Sequence, residues 1–291
     1  MDMDTSRSLE KIVLATDGSE YAEAAVDAAI ALARPSHAEV RVVHVWNLDI
    51  RHRHCSLDGE VRGEARQLLD ATVGRLTRAG IRADGSILRA DSDHVAAAVA
   101  ITARTFGADL IVVGSHGISD LGLRLEHGLS HHLDTTVDCP LVIVRGRIAM
   151  APEPVHRVLL AVAGGDDLGR AAQAALAVAS PECLVLVVHA GQAVAGDQGT
   201  VHSESGGEAW TTVAKAIKLI QEGGISARGV ATQPGRTADV IARVANSWDV
   251  DLIVAGSCRM ADLASVVLGS VTHERPHAQI RALVRDAQPA A

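Results

Sequence analysis

Three groups of residues have the types and spacing to do chemistry. The first is Gly114-Ser115-His116-Gly117, followed after ten further residues by Gly128, Leu129 and Ser130. Glycines at a strand-to-helix turn let backbone N–H groups approach phosphate oxygens with no Cβ in the way, and a helix starting there adds the positive end of its dipole. The same glycines can equally serve only to make tight turns. The second group is Asp17, just past the apolar run Ile12–Thr16. A carboxylate there can accept hydrogen bonds from hydroxyl groups, or it can cap the helix whose first turn is Ser19–Glu20. The third is histidine, present 14 times. His127 and His131 stand four apart, with Glu126 and His132 beside them, and His52, His54 and Cys55 lie together in RHRHC. Four-residue spacing puts two imidazoles on one helical face, but neither cluster has a third ligand, so no metal site is expected. His44 and His189 fall inside strands and are expected to be packed against backbone partners, not to catalyse.

Several chemistries are excluded. No nucleophile elbow, H-E-x-x-H or Walker lysine occurs, and the first half of the chain has a single lysine, Lys11, at the start of a strand. That argues against a P-loop ATPase or kinase. No G-x-G-x-x-G follows the first strand, which argues against a dinucleotide oxidoreductase. No catalytic residue is expected.

The elements that must position these residues occur twice. Lys11–Ala33 matches Arg157–Ala179, Glu39–Val45 matches Leu184–Ala190, Ala108–Ser115 matches Val250–Ser257, and Leu141–Arg145 matches Arg281–Arg285. Four blocks kept in one order mean a duplicated domain. In the first copy strands are expected at Ile12–Thr16, Val40–Trp46, Arg82–Leu88, Leu110–Gly114 and Leu141–Arg145. Helices are expected near Glu20–Ala33, Glu60–Ala79, Asp93–Phe106 and Leu129–Val137. The strands read as continuous apolar runs alternating with helices. That pattern gives an α/β fold: a five-stranded parallel doubly wound sheet in each copy, with helices on both faces. Ligands on such sheets bind beyond the carboxyl ends of the strands, where the winding reverses. The boundary falls in Gly146–Val155, where Pro152 and Pro154 interrupt regular structure.

Hydrophobic residues make up 48% of the 291 and aromatic ones 2%, so each core must be built from Ala, Val, Leu and Ile. Few aromatics and a net charge of −8 argue against nucleic-acid partners, which need stacking platforms or a basic stripe. The four cysteines, Cys55, Cys139, Cys183 and Cys258, form no C-x-x-C and read as reduced, mostly buried thiols. Met1–Lys11 is polar, and no apolar run approaches the roughly 20 residues that span a bilayer. No membrane association is expected, and the location is expected to be cytoplasmic.

ATDGSE at Ala15–Glu20, VVHVW at Val42–Trp46, GADLIVVGSHG at Gly107–Gly117 and CPLVIVR at Cys139–Arg145 together resemble the universal stress protein family. DLIVAGS at Asp251–Ser257 and LGSVTHE at Leu268–Glu274 extend the resemblance to its tandem form. The resemblance implies two flavodoxin-like or Rossmann-like domains, at 1–147 and 155–291. It also implies dimer-like pairing through the last strand and ATP or AMP as ligand, with Mg only as companion of ATP. The family's nucleotide signature is G-x-x-G, nine residues, then G-[S/T]; here the gap is ten, and Leu129 precedes Ser130. By the same resemblance Asp17 lies beside adenine and ribose, Val45 offers backbone groups to the adenine edge, and Ala15 and Thr16 line the entrance. Ser115 and the glycines belong to the phosphate turn, and Arg124 either reaches phosphates or is a solvated loop arginine.

The second copy is expected to be degenerate. Gly256-Ser257-Cys258-Arg259 lacks the second glycine, although nine residues still separate it from Gly269-Ser270. Ala163 replaces Asp17, Ala190 replaces Val45, and Pro276 falls inside what should be the last helix, which is expected to be short. Each copy ends in a strand, Leu141–Val144 and Ala282–Val284, whose free edge invites association. An intrachain pseudo-dimer is therefore expected, with a homodimer as a further option. The functional expectation is a nucleotide-responsive regulatory or stress-response protein with an unidentified protein partner. A nucleotide-free interaction module of the same fold, or a weak ATP hydrolase, are the alternatives.

Overall fold

The computed structural model describes residues 9–47, 58–90, 94–114, 139–144, 155–162, 168–189, 194–195, 201–202, 206–230, 232, 237–256 and 281–285. The chain divides into two compact units, one spanning Leu9–Glu153 and the other containing Pro154–Ala291.

In the first unit β1 (Lys11–Ala15) is an apolar run, buried from Ile12 onward. It leads into α1 (Glu20–Ala33), an Ala-rich segment that packs closely because so many of its side chains are single methyl groups. There follow β2 (Glu39–Asn47), α2 (Asp58–Arg78), β3 (Ala83–Ala90), α3 (Val95–Phe106), β4 (Leu110–Gly114) and β5 (Leu141–Val144). Gly107 ends α3 in the left-handed region at φ 71°, where a Cβ is unfavourable. All strands are parallel, in the order β5-β4-β1-β2-β3. The chain steps one way from β1 to β3, then jumps back past β1 to β4. Right-handed crossovers therefore place α1 and α2 on one face and α3 on the other. Accordingly α1 packs on β1, β4 and β5, α2 on β2 and β3, and α3 on β1, β2 and β3. The winding reverses between β1 and β4.

The second unit repeats this order. β6 (Arg157–Val162), α4 (Leu168–Val178) and β7 (Leu184–His189) come first. A short antiparallel hairpin, β8 (Val194–Ala195) with β9 (Val201–His202), intervenes; the sequence did not suggest it. Then come α5 (Gly206–Glu222), β10 (Ser226–Gly229), α6 (Thr237–Ser247), β11 (Leu252–Gly256) and β12 (Arg281–Arg285). Its parallel strands run β10-β7-β6-β11-β12. The α/β fold of two five-stranded parallel sheets thus matches the expectation.

Two details differ from it. β3 runs Ala83–Ala90 in place of Arg82–Leu88, and β1 and β2 each begin one residue earlier than expected. The strands are also not all apolar runs. The outermost strands β3 (ADGSILRA) and β10 (SARG) are exposed or half-buried for most of their length. On each of these strands a glycine makes room for a neighbouring helix: a Cβ on Gly85 would come within 2.8 Å of Leu69, and one on Gly229 within 2.9 Å of Trp210 and Val213. The expected helix Leu129–Val137 and its counterpart around Pro276 lie outside the described residues. Among the described residues no helix is long and apolar enough to cross a membrane.

At the amino-terminal edge both units use one device. Asp109 Oδ2 accepts from the backbone N–H groups of Glu10 and Lys11, each at 3.0 Å, and Lys11 Nζ donates to the Phe106 carbonyl at 3.1 Å. Asp251 Oδ2 accepts from the N–H groups of His156 and Arg157, each at 2.8 Å, and Arg157 Nη1 donates to the Trp248 carbonyl at 3.1 Å. The aspartates of the repeated D-L-I-V blocks therefore fasten a strand start and a helix end.

Candidate functional site at the carboxyl edge of the first unit

β1 ends with Ala15 in register with Val43 of β2 on one side and Val113 of β4 on the other. Gly114, the last residue of β4, lies opposite Val144. Val45 is half-buried near the end of β2. The structure thus brings Ala15, Thr16, Asp17, Val45 and Gly114 to one edge, at the point where the winding reverses. The other expected site residues, Ser115, Gly117, Arg124, Gly128, Leu129 and Ser130, lie outside the described residues. So do His52, His54, Cys55, His127, His131 and His132.

The turn after β1 is built from short polar links. The Thr16 N–H donates to the Val43 carbonyl at 2.9 Å, and Thr16 Oγ1 accepts from the Gly18 N–H at 3.3 Å. Gly18 takes φ 79°, so the backbone calls for glycine, and a Cβ on it would also lie 2.8 Å from the tip of the Leu68 side chain. Asp17 Oδ1 accepts from the Ser19 N–H at 3.0 Å and from Ser19 Oγ at 2.7 Å. Ser19 is the N-cap of α1, its Oγ accepting from the Ala22 N–H at 3.3 Å. The helix cap is therefore Ser19, not Asp17. Asp17 acts one step back, as the group that orients the cap.

This leaves Asp17 exposed, with one oxygen fixed by Ser19. Among the described residues its Oδ2 takes no hydrogen bond and is available to a ligand hydroxyl. Thr16, by contrast, is buried, at 7% exposure. His44 Nδ1 lies 2.9 Å from the Thr16 carbonyl oxygen, so this histidine has the backbone partner expected of it. Sequence reading missed which backbone group that is; a histidine one residue ahead of a candidate ligand-contact position was the available signal.

In sequence, the matching edge of the second unit keeps a histidine, His189, but lacks the hydroxyl and the carboxylate of this turn. Ala161 pairs with Val188 and Ala255, as Ala15 does with Val43 and Val113. The next residue is Val162, buried and without a hydroxyl, where the first unit has Thr16. Among the described residues no group of three His, Cys, Asp or Glu side chains could hold a metal ion. Cys183 is buried and its thiol is pushed up to about 11, chiefly by desolvation, so it is not a reactive nucleophile. Cys139 is half-buried.

The model of the Universal stress protein family matches residues 8–145 and again 154–274. A universal stress protein of Mycobacterium tuberculosis is 27% identical over 294 aligned residues, covering 95% of this chain and 96% of the relative. A universal stress protein of Bacillus subtilis is 28% identical over 148 residues, covering 46% of this chain and 98% of the relative. Among solved structures, a universal stress protein from Archaeoglobus fulgidus superposes with a TM-score of 0.70 at 18% identity, covering 95% of this chain and 98% of that one. That last likeness bears on the fold alone.

Proposed function

Because this chain belongs to the universal stress protein family, in tandem form, we propose that its first unit binds an adenine nucleotide, ATP or AMP. The nucleotide would sit at the carboxyl edge of β1, β2 and β4. In this reading the protein is a cytoplasmic regulatory binding protein of the stress response and not an enzyme. One observation carries it: an exposed carboxylate, Asp17, held through Oδ1 by Ser19 and set just past the end of β1, where the winding reverses between β1 and β4. Such a carboxylate suits the hydroxyls of a ribose. Gly114 and Gly117 would let backbone N–H groups meet the phosphates, with Ser115, Arg124, Gly128, Leu129 and Ser130 around them, and Mg would enter only with ATP. The second unit, with Val162 and Ala163 in place of Thr16 and Asp17, would bind weakly or not at all.

The ten-residue gap before Gly128 favours a second reading, a nucleotide-free interaction module acting through its surfaces. Denaturing the purified protein and identifying any released nucleotide separates the two. Released ATP or AMP supports the first reading; none, together with no uptake of added nucleotide, supports the second. A turnover assay on the same preparation, compared with Asp17→Ala, tests weak ATP hydrolysis. The protein partner, and pairing through the last strand of each copy within a chain or between two chains, remain part of this proposal.

A further inference from the structure

We infer that His44 is a positioning residue for the nucleotide edge, which locks the exit of β1 by donating its Nδ1 proton to the Thr16 carbonyl. This rests on the nucleotide reading and adds to it a residue outside the expected contact set. The two strands are in register up to Ala15 with Val43, and there the ladder between them ends. Beyond that point the chain must leave the sheet at Asp17 and reverse through Gly18, at φ 79°. Thr16 is the last residue that β2 can hold. Its N–H is held by the Val43 carbonyl at 2.9 Å, and its carbonyl by the His44 ring at 2.9 Å. Both backbone groups of Thr16 are thus fixed by consecutive residues of β2. The next residue of β2 is Val45, the expected adenine contact, and the next residue of β1 is Asp17, the expected ribose contact. His44 therefore couples the two halves of the site through a single hydrogen bond.

A carbonyl oxygen can only accept, so Nδ1 must carry the proton. That sets the chemistry a substitute must reproduce. Asparagine places an N–H the same two bonds from Cβ as Nδ1, and glutamine places it one carbon further out. Valine keeps the strand preference of the position and has no donor.

The test uses the full chain with His44→Asn, His44→Gln and His44→Val. Calorimetry with ATP and with AMP gives the affinities, and amide exchange by NMR reports the Gly18 and Ser19 N–H groups, which close on Thr16 Oγ1 and Asp17 Oδ1. His44→Val and His44→Gln are expected to weaken nucleotide binding by about fivefold, the effect of one lost hydrogen bond, and to speed exchange at Gly18 and Ser19. His44→Asn is expected to restore both towards wild type. Equal weakening by Asn and Val, or unchanged exchange in His44→Val, would overturn the assignment. If the unaltered chain binds neither nucleotide, the functional reading fails on its own. The exchange data then decide the lock: rescue by Asn upholds it, and no change in His44→Val refutes it.

Discussion

At the amino-terminal edge, Lys11, Phe106 and Asp109 of the first unit stand where the second has Arg157, Trp248 and Asp251, and the same three backbone groups are held in each. At the carboxyl edge, Thr16, Asp17 and Ser19 give way to Val162, Ala163 and Gly165. The duplicated chain has thus kept the chemistry that ties a strand start to a helix end. It has changed the chemistry at the edge where a doubly wound sheet takes its ligands. A general drift of the second copy would have loosened both edges. The difference points to a second unit that keeps its scaffold role without the polar turn of the first.

The largest expected effect concerns a contact that only the first unit has. Arg75 of α2 is ion-paired with Glu23 and with the fully buried Asp27 of α1. The corresponding residues of the second unit are Leu219, Gly169 and an exposed Gln173. Arg75→Leu takes the guanidinium away from a buried carboxylate and is expected to cost about 3 kcal/mol. Adding Asp27→Asn is expected to recover part of that. Denaturant unfolding, with amide exchange in α1 to identify the unit, measures both; a neutral Arg75→Leu would show that the first unit does not depend on this pair.

The next effect tests the shared edge. Asp109→Ala and Asp251→Ala each remove two hydrogen bonds from largely exposed backbone N–H groups and are each expected to cost about 1–2 kcal/mol. Because the same backbone groups are held in each unit, the two costs are expected to be similar. A clear imbalance in the unfolding midpoints would contradict the equivalence of the two edges.

The smallest effect sharpens the comparison by one residue. Gly107 takes φ 71° after α3, and its counterpart Asp249 takes φ 55° after α6. Aspartate tolerates this region less well than glycine. Asp249→Gly is expected to raise stability by about 0.5 kcal/mol and Gly107→Ala to lower it by about 1 kcal/mol. The gain is small because Asp249 also lies 3.7 Å from Arg157, in an exposed pair that contributes little. Thermal melts of both variants check the signs, and a stabilising Gly107→Ala would refute the backbone argument.

Much of the scaffold was legible because its signals are local. The Ile12–Ala15 run, the Ala-rich α1 and the repeated D-L-I-V blocks specify inner strands and their helices within a few residues of chain. The outer strands were harder, since Asp84, Gly85 and Ser86 are polar or small and only the packing of Leu69 onto Gly85 explains them. The roles of Asp109 and Asp251 were hidden although their positions stood out. Their partners lie 94–99 residues away along the chain, and spacing along the sequence says nothing of such a contact. The same holds for Arg75 with Asp27 and for His44 with Thr16. At the candidate site, Asp17 was legible as a carboxylate at a strand end, but its division of labour with Ser19 was not. Both residues are plausible caps, and only the geometry assigns the cap to one and its orientation to the other.

In the proposed reading the polar turn of the first unit, and not its counterpart in the second, takes the nucleotide. Calorimetric titration of the full chain with ATP and AMP tests it most directly, run beside Asp17→Asn. Asparagine keeps an Oδ1 acceptor for Ser19 and so preserves the turn, but it replaces the second carboxylate oxygen with an N–H donor. One nucleotide per chain is expected, with a loss of affinity of about tenfold or more in Asp17→Asn, as for removal of a charged hydrogen-bond acceptor. Two nucleotides per chain, or undiminished binding in Asp17→Asn, would contradict it.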